Sequence, residues 1–234
     1  ALRYDEVQAY DVGRLKPGSA YATRHPEQQP VDGQRIPRLA DVFALVKKSG
    51  NALVRFNIET KVFPIKPELT PPPAPFAEAV VRAVREAGME KRAAIQSFDW
   101  RTLKIVQKLA PELTTVALTS QRPGEDTIGA GQPGPSPWLA GLDVDDFGGS
   151  VPKLVKASGA AVWSPNYLDL DERAVEGAHA LGLRVIPWTI NETAEMERML
   201  DLGVDGIISD RPDRLRAVLG RKGLPLPRPT PVRP

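Results

Sequence analysis

Residues 160–209 decide the fold, and they read AAVWSPNYLDLDERAVEGAHALGLRVIPWTINETAEMERMLDLGVDGIIS. Three short segments rich in β-branched residues alternate here with two longer runs whose apolar residues recur at helical spacing. Strands that alternate with helices predict βα units and therefore a parallel sheet. The predicted strands are 160–164, 183–190 and 204–209, with one helix over 171–181 and another that Asn191 caps and that ends near Leu202.

The same alternation extends upstream to residue 36. Parallel strands need both faces covered, which leaves either an open doubly wound sheet or a barrel. No glycine-rich phosphate loop follows an early strand, so the open sheet is disfavoured. A closed barrel needs eight strands, whereas six are predicted. The other three are 52–61, 93–98 and 114–119, with helices over 38–49, 76–87, 100–109 and 151–157, and a last helix that Pro212 opens.

Composition limits the chemistry that the chain can perform. The 234 residues include no Cys, so disulfides, thiolate zinc sites and Cys nucleophiles are excluded. The two His restrict any mechanism that needs a His pair, and a net charge of +2 gives no case for a nucleic-acid partner. No apolar run approaches the roughly 20 residues of a transmembrane segment. Fifteen of the 24 Pro cluster in 64–75, 123–137 and 225–234, which predicts loops there.

A polar cluster follows the first predicted strand. Asn57, Glu59 and Lys61 alternate along the chain, so they share one strand face. A carboxylate there can hold a hard cation, and an ammonium can pair with phosphate. The same spacing also fits a buried ion pair, or a strand end that emerges into solvent.

Two aromatic residues and two histidines have competing interpretations. Trp188 and Phe98 lie near predicted strand ends, where each can wall a pocket or fill the core. His179 is expected to have a structural role in its helix, and His25 to be exposed in a loop. No His pair is therefore predicted. The acidic loop with Asp143, Asp145 and Asp146 is expected to be solvated rather than to bind calcium.

Five segments, in one order, together resemble the glycerophosphodiester phosphodiesterase family. That resemblance implies a TIM barrel, (β/α)₈, of which about six βα units are present here. It implies hydrolysis of glycerophosphodiesters to glycerol 3-phosphate and an alcohol, with a divalent cation, Ca²⁺ or Mg²⁺. Glu59 would bind the metal, Lys61 would lie near the phosphate, and Phe98 and Trp188 would line the substrate pocket. The segments are IPRLADVFALV (36–46), RFNIETK (55–61), AAIQSFDWRTL (93–103), LGLRVIPWTIN (181–191) and LGVDGIISDRPDRL (202–215).

The sequence also departs from the family pattern. The family's first strand carries H-R-G followed by P-E-N-T, and its second carries E-x-D with a second His shortly after. These motifs, which supply both catalytic His and two of the three metal-binding carboxylates, are missing here. Neither His25 nor His179 lies in a matching context, so we expect a chain without the first two barrel strands and with little activity of its own. The alternative is a degenerate barrel that binds a phosphate ligand or a protein partner without catalysis.

The resemblance also implies a division of the chain. Residues 1–35 match an insertion of bacterial family members, 36–222 form the partial barrel, and 223–234 are a Pro-rich tail. Because family members with this insertion are often exported, the expected location is periplasmic or secreted.

Overall fold

The computed structural model describes residues 2–232, which divide into two compact units. The first unit reaches Gly50 and the second comprises Asn51–Pro231. The predicted boundaries near residues 36 and 222 stay predictions. None of the described helices is both long enough and apolar enough to cross a membrane.

The first unit contains three helices joined by a loop that hydrogen bonds hold. In that loop the Asp11 carboxylate accepts from the amides of Gly13 and Gly33, at 2.9 and 2.6 Å. The Val31 amide donates to the Gly13 carbonyl at 3.0 Å, so two distant stretches of the loop run side by side. The helices are α1 (Tyr4–Val7), α2 (Ala20–Arg24) and α3 (Leu39–Lys48).

The second unit is built on a parallel sheet of five strands in the order β1-β2-β3-β4-β5. The strands lie in the sheet in the order in which they occur along the chain. This order is expected when each strand is followed by a helix that brings the chain back to the starting end of the next parallel strand. The parallel βα architecture that the sequence predicts is therefore present. The strands are β1 (Phe56–Glu59), β2 (Ala93–Ser97), β3 (Thr114–Thr119), β4 (Val162–Pro165) and β5 (Arg184–Val185).

Helices cover one face of this sheet. On β2 the side chains of Ala93, Ile95 and Ser97 are buried, whereas the alternate residues are partly exposed. α5 packs against β2 and β3 and contacts α4, so the core lies between the sheet and these helices. The helices of this unit are α4 (Pro73–Glu86), α5 (Trp100–Leu109), α6 (Val151–Ala157), α7 (Glu172–Ala180), α8 (Thr193–Asp201) and α9 (Pro212–Arg221).

The prediction of a sixth regular strand over 204–209 is wrong, and four of the other five strands are shorter than predicted, two of them by six residues each. Residues 204–209 nevertheless run beside β5, because the Asp205 amide donates to the Val185 carbonyl and the Ile208 amide to the Pro187 carbonyl, each at 2.9 Å. β5 is limited to two residues of the predicted 183–190, where Pro187 has no amide to donate to a neighbouring strand. β1 begins only at Phe56.

One predicted helix cap is confirmed and another is wrong. The Asp99 carboxylate accepts from the Arg101 amide at 3.0 Å and caps α5. Asn191 does not cap α8, which begins at Thr193. Its side-chain oxygen instead accepts from the Asp210 amide at 2.9 Å and fixes the loop after residues 204–209.

The end of the second unit is tied back to its beginning. The Arg216 guanidinium donates to the Pro227 carbonyl at 3.1 Å, which lays the proline-rich tail along α9. Farther on, the Asn51 side-chain amide donates to the Thr230 hydroxyl at 2.8 Å. The first and last residues of this unit therefore lie beside each other.

Candidate active site

The candidate site begins at the carboxyl end of β1. Alternation along the strand places Asn57 and Glu59 on the sheet face opposite α4 and α5, whereas Thr60 is fully buried. Glu59 is the register partner of Gln96 on β2. The Asn57 side-chain amide donates to the Gln96 side-chain oxygen at 2.7 Å, which links the two strands beside the carboxylate.

The Glu59 carboxylate contains a buried oxygen without a hydrogen-bond partner. This atom, Oε1, lies 3.7 Å from Lys61 Nζ, and the Lys61 side chain is 69% exposed. The ion pair is thus long and open to solvent on the lysine side, unlike the compact buried pair that the spacing also allowed. Burying a carboxylate oxygen without a partner is costly, so Oε1 is suited to bind a cation or to accept a hydrogen bond from a ligand.

A divalent cation fits this carboxylate only in part. A carboxylate oxygen is the donor that Ca²⁺ and Mg²⁺ prefer. Within residues 2–232, however, no three His, Asp or Glu side chains come together as a metal-binding group. Glu59 can therefore supply one ligand, and any cation held here needs donors beyond the clustered side chains of this chain.

Phe98 and Trp188 are brought together on the same side of the sheet. Their ring centroids are 5.2 Å apart and the ring planes meet at 89°. The Trp188 indole donates to the Ser164 carbonyl at 2.9 Å, so its orientation is fixed from β4. Both side chains are partly exposed, which favours the interpretation as pocket walls over that as core residues. Their roles with a substrate stay predictions.

The ring cluster includes two residues that the sequence did not single out. Trp138 contacts Phe98 edge to face with centroids 6.3 Å apart, and it contacts Phe63 at 5.8 Å. Trp138 comes from the long Gly/Pro-rich loop after β3, and Phe63 from the loop after β1. Neither residue lies in a segment with helical or strand periodicity, so the sequence pattern does not place it. The available signals were a Trp at the end of a Gly/Pro-rich stretch and a Phe two residues after Lys61.

His179 lies near the amino end of β5, away from this cluster, whereas His25 belongs to the first unit. His179 Nε2 is 2.9 Å from Asp205 Oδ2, and the same oxygen accepts from the Val185 amide at 2.7 Å. This contact joins α7 to β5 and gives His179 a structural partner. His25, expected to be exposed, is half-buried and packs against Tyr21, with ring centroids 4.6 Å apart.

The acidic loop uses its carboxylates on its own backbone. Asp143 accepts from the Asp145 amide at 3.0 Å, and Asp145 in turn accepts from the Gly131 amide at 3.1 Å. These bonds are typical of loop closure. The loop therefore gives no sign of a calcium site in the part of the chain that is described.

Comparisons with known proteins agree on one family. The glycerophosphoryl diester phosphodiesterase family matches over residues 1–214. A glycerophosphodiester phosphodiesterase of Caldanaerobacter subterraneus subsp. tengcongensis is 30% identical over 219 residues, which cover 94% of this chain and 71% of that protein. A crystal structure from Silicibacter pomeroyi DSS-3 is similar with a TM-score of 0.81 at 32% identity, covering 97% of this chain and 70% of that one.

A more distant likeness concerns the fold alone. An Oleispira antarctica phosphodiesterase, solved in complex with the product sn-glycerol-3-phosphate, has a TM-score of 0.56 at 16% identity, over 85% of this chain and 66% of that one. The parallel sheet, together with the similarity to these relatives, identifies the second unit as part of a TIM barrel. The chain belongs to the glycerophosphoryl diester phosphodiesterase family of phosphoric diester hydrolases.

Proposed function

We propose that this chain carries part of a site that hydrolyses glycerophosphodiesters to glycerol 3-phosphate and an alcohol, with a divalent cation held in part by Glu59. The observation that carries the proposal is the buried Glu59 oxygen without a hydrogen-bond partner, 3.7 Å from Lys61 Nζ at the carboxyl end of β1. Catalytic sites of TIM barrels lie at this end of the strands.

Each side chain has a distinct task in this proposal. A bound divalent cation would neutralise the phosphate and polarise its oxygens. Lys61, which is largely exposed, is free to turn its ammonium toward a phosphate oxygen and balance its negative charge. Phe98 and Trp188 offer aromatic surface to the carbon atoms of the glycerol moiety.

The proton transfers of the reaction have no evident donor or acceptor here. His179, the one histidine of residues 51–231, bonds to Asp205 at the amino end of β5, opposite the candidate site. We therefore expect slow turnover by this chain alone. The same observation favours the second candidate, a barrel that binds a phosphate ligand without hydrolysing it.

The test combines binding with catalysis on the same preparation. Binding of sn-glycerol 3-phosphate is measured by calorimetry with Ca²⁺, with Mg²⁺ and with EDTA, while glycerol 3-phosphate release from glycerophosphocholine is followed in parallel. The variant is Glu59→Gln, and the matched control is the exposed Glu68→Gln. We expect cation-dependent binding that Glu59→Gln weakens about tenfold or more and Glu68→Gln leaves unchanged.

The outcomes separate the two candidates. Hydrolysis that disappears in Glu59→Gln supports the enzyme, whereas cation-dependent binding without hydrolysis supports the non-catalytic site. Binding that is independent of both the cation and Glu59 contradicts the role given to this carboxylate.

A further inference from the structure

We propose that Trp138 is a specificity-determining residue, which together with Phe63 receives the alcohol arm of the diester. This inference rests on the proposed function and adds the substrate class that the site prefers. Its basis is a continuous row of four rings, Trp188, Phe98, Trp138 and Phe63, in which each ring meets the next edge to face.

Two rings of the row, Phe98 and Phe63, follow the carboxyl ends of β2 and β1, the strands that carry Gln96 and Glu59. Phe98 follows Gln96, the register partner of Glu59, by two residues. Phe63 follows Lys61 by two residues in the loop after β1, and its amide donates to the Thr70 hydroxyl at 3.2 Å. The phosphate position proposed beside Glu59 and Lys61 is thus flanked by aromatic surface that extends past Phe98.

A glycerophosphodiester has a glycerol arm and an alcohol arm on either side of the phosphate. The row of rings has one end at Trp188 and the other at Phe63. If the glycerol arm packs on Phe98 and Trp188, the other end of the row is left for the alcohol arm. Phe63 is 39% exposed, so this outer end is open to solvent rather than closed into the core. Trp138 stands between Phe98 and Phe63, so an arm that extends from Phe98 toward this open end passes its ring.

The chemistry of this end favours one class of alcohol. Indole and phenyl faces attract carbon atoms and, more strongly, quaternary ammonium groups; a polyol offers them only its C–H surface, whereas a choline group offers both methyl surface and a cation. The preferred substrate class is therefore a glycerophosphodiester with a choline-type alcohol, rather than one with a polyol such as glycerol or inositol.

The Trp138 backbone is anchored independently of its ring. The Trp138 carbonyl accepts from the Trp100 amide at 2.8 Å, and the adjacent Leu139 side chain is fully buried. The Ser136 hydroxyl donates to the Thr127 carbonyl at 2.8 Å and closes the loop just before it. Removing the indole should therefore leave the loop in place, which makes Trp138 suited to substitution.

The test compares Trp138→Ala with the conservative Trp138→Phe. Dissociation constants are measured for glycerophosphocholine, glycerophosphoinositol and sn-glycerol 3-phosphate, and thermal melts establish that both variants are folded. We expect Trp138→Ala to weaken glycerophosphocholine binding about fivefold, to leave the other two ligands within error, and Trp138→Phe to restore most of the loss.

Failure of this inference can be told apart from failure of the proposed function. If the unaltered chain binds none of the three ligands, the proposed function fails and this inference fails with it. If it binds them and Trp138→Ala weakens all three equally, or none, the function stands and the specificity role of Trp138 is wrong.

Discussion

Phe98 and Trp188 lie edge to face, with ring centroids 5.2 Å apart, although β3 and β4 separate their strands in the sheet. Neighbouring strands are about 4.8 Å apart, so in a flat sheet the ends of β2 and β5 would be roughly 14 Å apart. Because side chains stand roughly perpendicular to a sheet, the contact indicates curvature toward the face that carries Glu59. Curvature of this kind is what a barrel has and an open sheet lacks.

Replacing Trp188 should weaken both the curvature and the fold. Trp188→Ala removes the ring contact and the bond to the Ser164 carbonyl, and we expect a loss of about 2 kcal/mol in the free energy of unfolding. Trp188→Phe keeps a ring and should lose about half as much. Urea denaturation measures both. Equal stability of Trp188→Ala and the parent chain would show that the contact does not support the curved sheet.

His179 is predicted to stabilise the fold without taking part in the reaction. His179→Ala should lower the free energy of unfolding by about 1 kcal/mol, and Asp205→Ala by about 2 kcal/mol, because Asp205 also accepts from the Val185 amide. Denaturant titration gives these values, and calorimetry with sn-glycerol 3-phosphate should give unchanged affinity for His179→Ala. A large loss of affinity in that variant would place the histidine in the site instead.

Stability should respond to pH through Asp169. Burial raises the pKa of the Asp169 carboxyl, against the opposing effect of the Gln121 amide that donates to it at 2.8 Å. Because the pKa of Asp169 is higher in the folded than in the unfolded chain, this carboxyl stabilises the fold fully at a pH below its unfolded pKa. This stabilisation is lost as the pH rises through the folded pKa. Asp169→Asn removes this loss but keeps an acceptor, so its stability relative to the parent should increase as the pH rises from 3 toward 7.

Asp213 provides a control of opposite sign. The Arg211 guanidinium lowers the pKa of Asp213 to about 2, so its ionised form is favoured by folding. Asp213→Asn should therefore lose stability relative to the parent as the pH rises from 2 toward 5, a window in which Asp169→Asn gains. Thermal melts across this range check both, and parallel trends in the two variants would contradict the assignment.

Gly13 should tolerate no side chain. A Cβ at this position would lie 1.8 Å from the Val31 carbonyl oxygen, so Gly13→Ala must separate the two stretches of the loop in the first unit. We expect a cost of about 2 kcal/mol or more, seen as faster hydrogen exchange at the Val31 amide. Gly177→Ala is the matched control. It lies in α7 with open space around its Cβ and should stabilise the protein by up to about 1 kcal/mol.

The parts of the structure that depend on local pattern were predictable, and those that depend on distant contacts were not. β3 matches its predicted range because its residues are β-branched or apolar and buried on both faces. The segment 204–209 carries a similar pattern but forms only scattered bonds to β5, whose own ladder stops before Pro187. Sequence spacing placed Glu59 at a strand end, yet Trp138 reaches the site through a loop that only tertiary contacts position.

The bond between Asn51 and Thr230 has a topological consequence. Because the two ends of the second unit are in contact, a short peptide could join them without crossing the sheet. Circular permutants of this unit should then be possible, with new termini opened in the exposed turn at 131–135. The arrangement of the strands and helices in this unit should therefore not depend on which segment comes first in the chain.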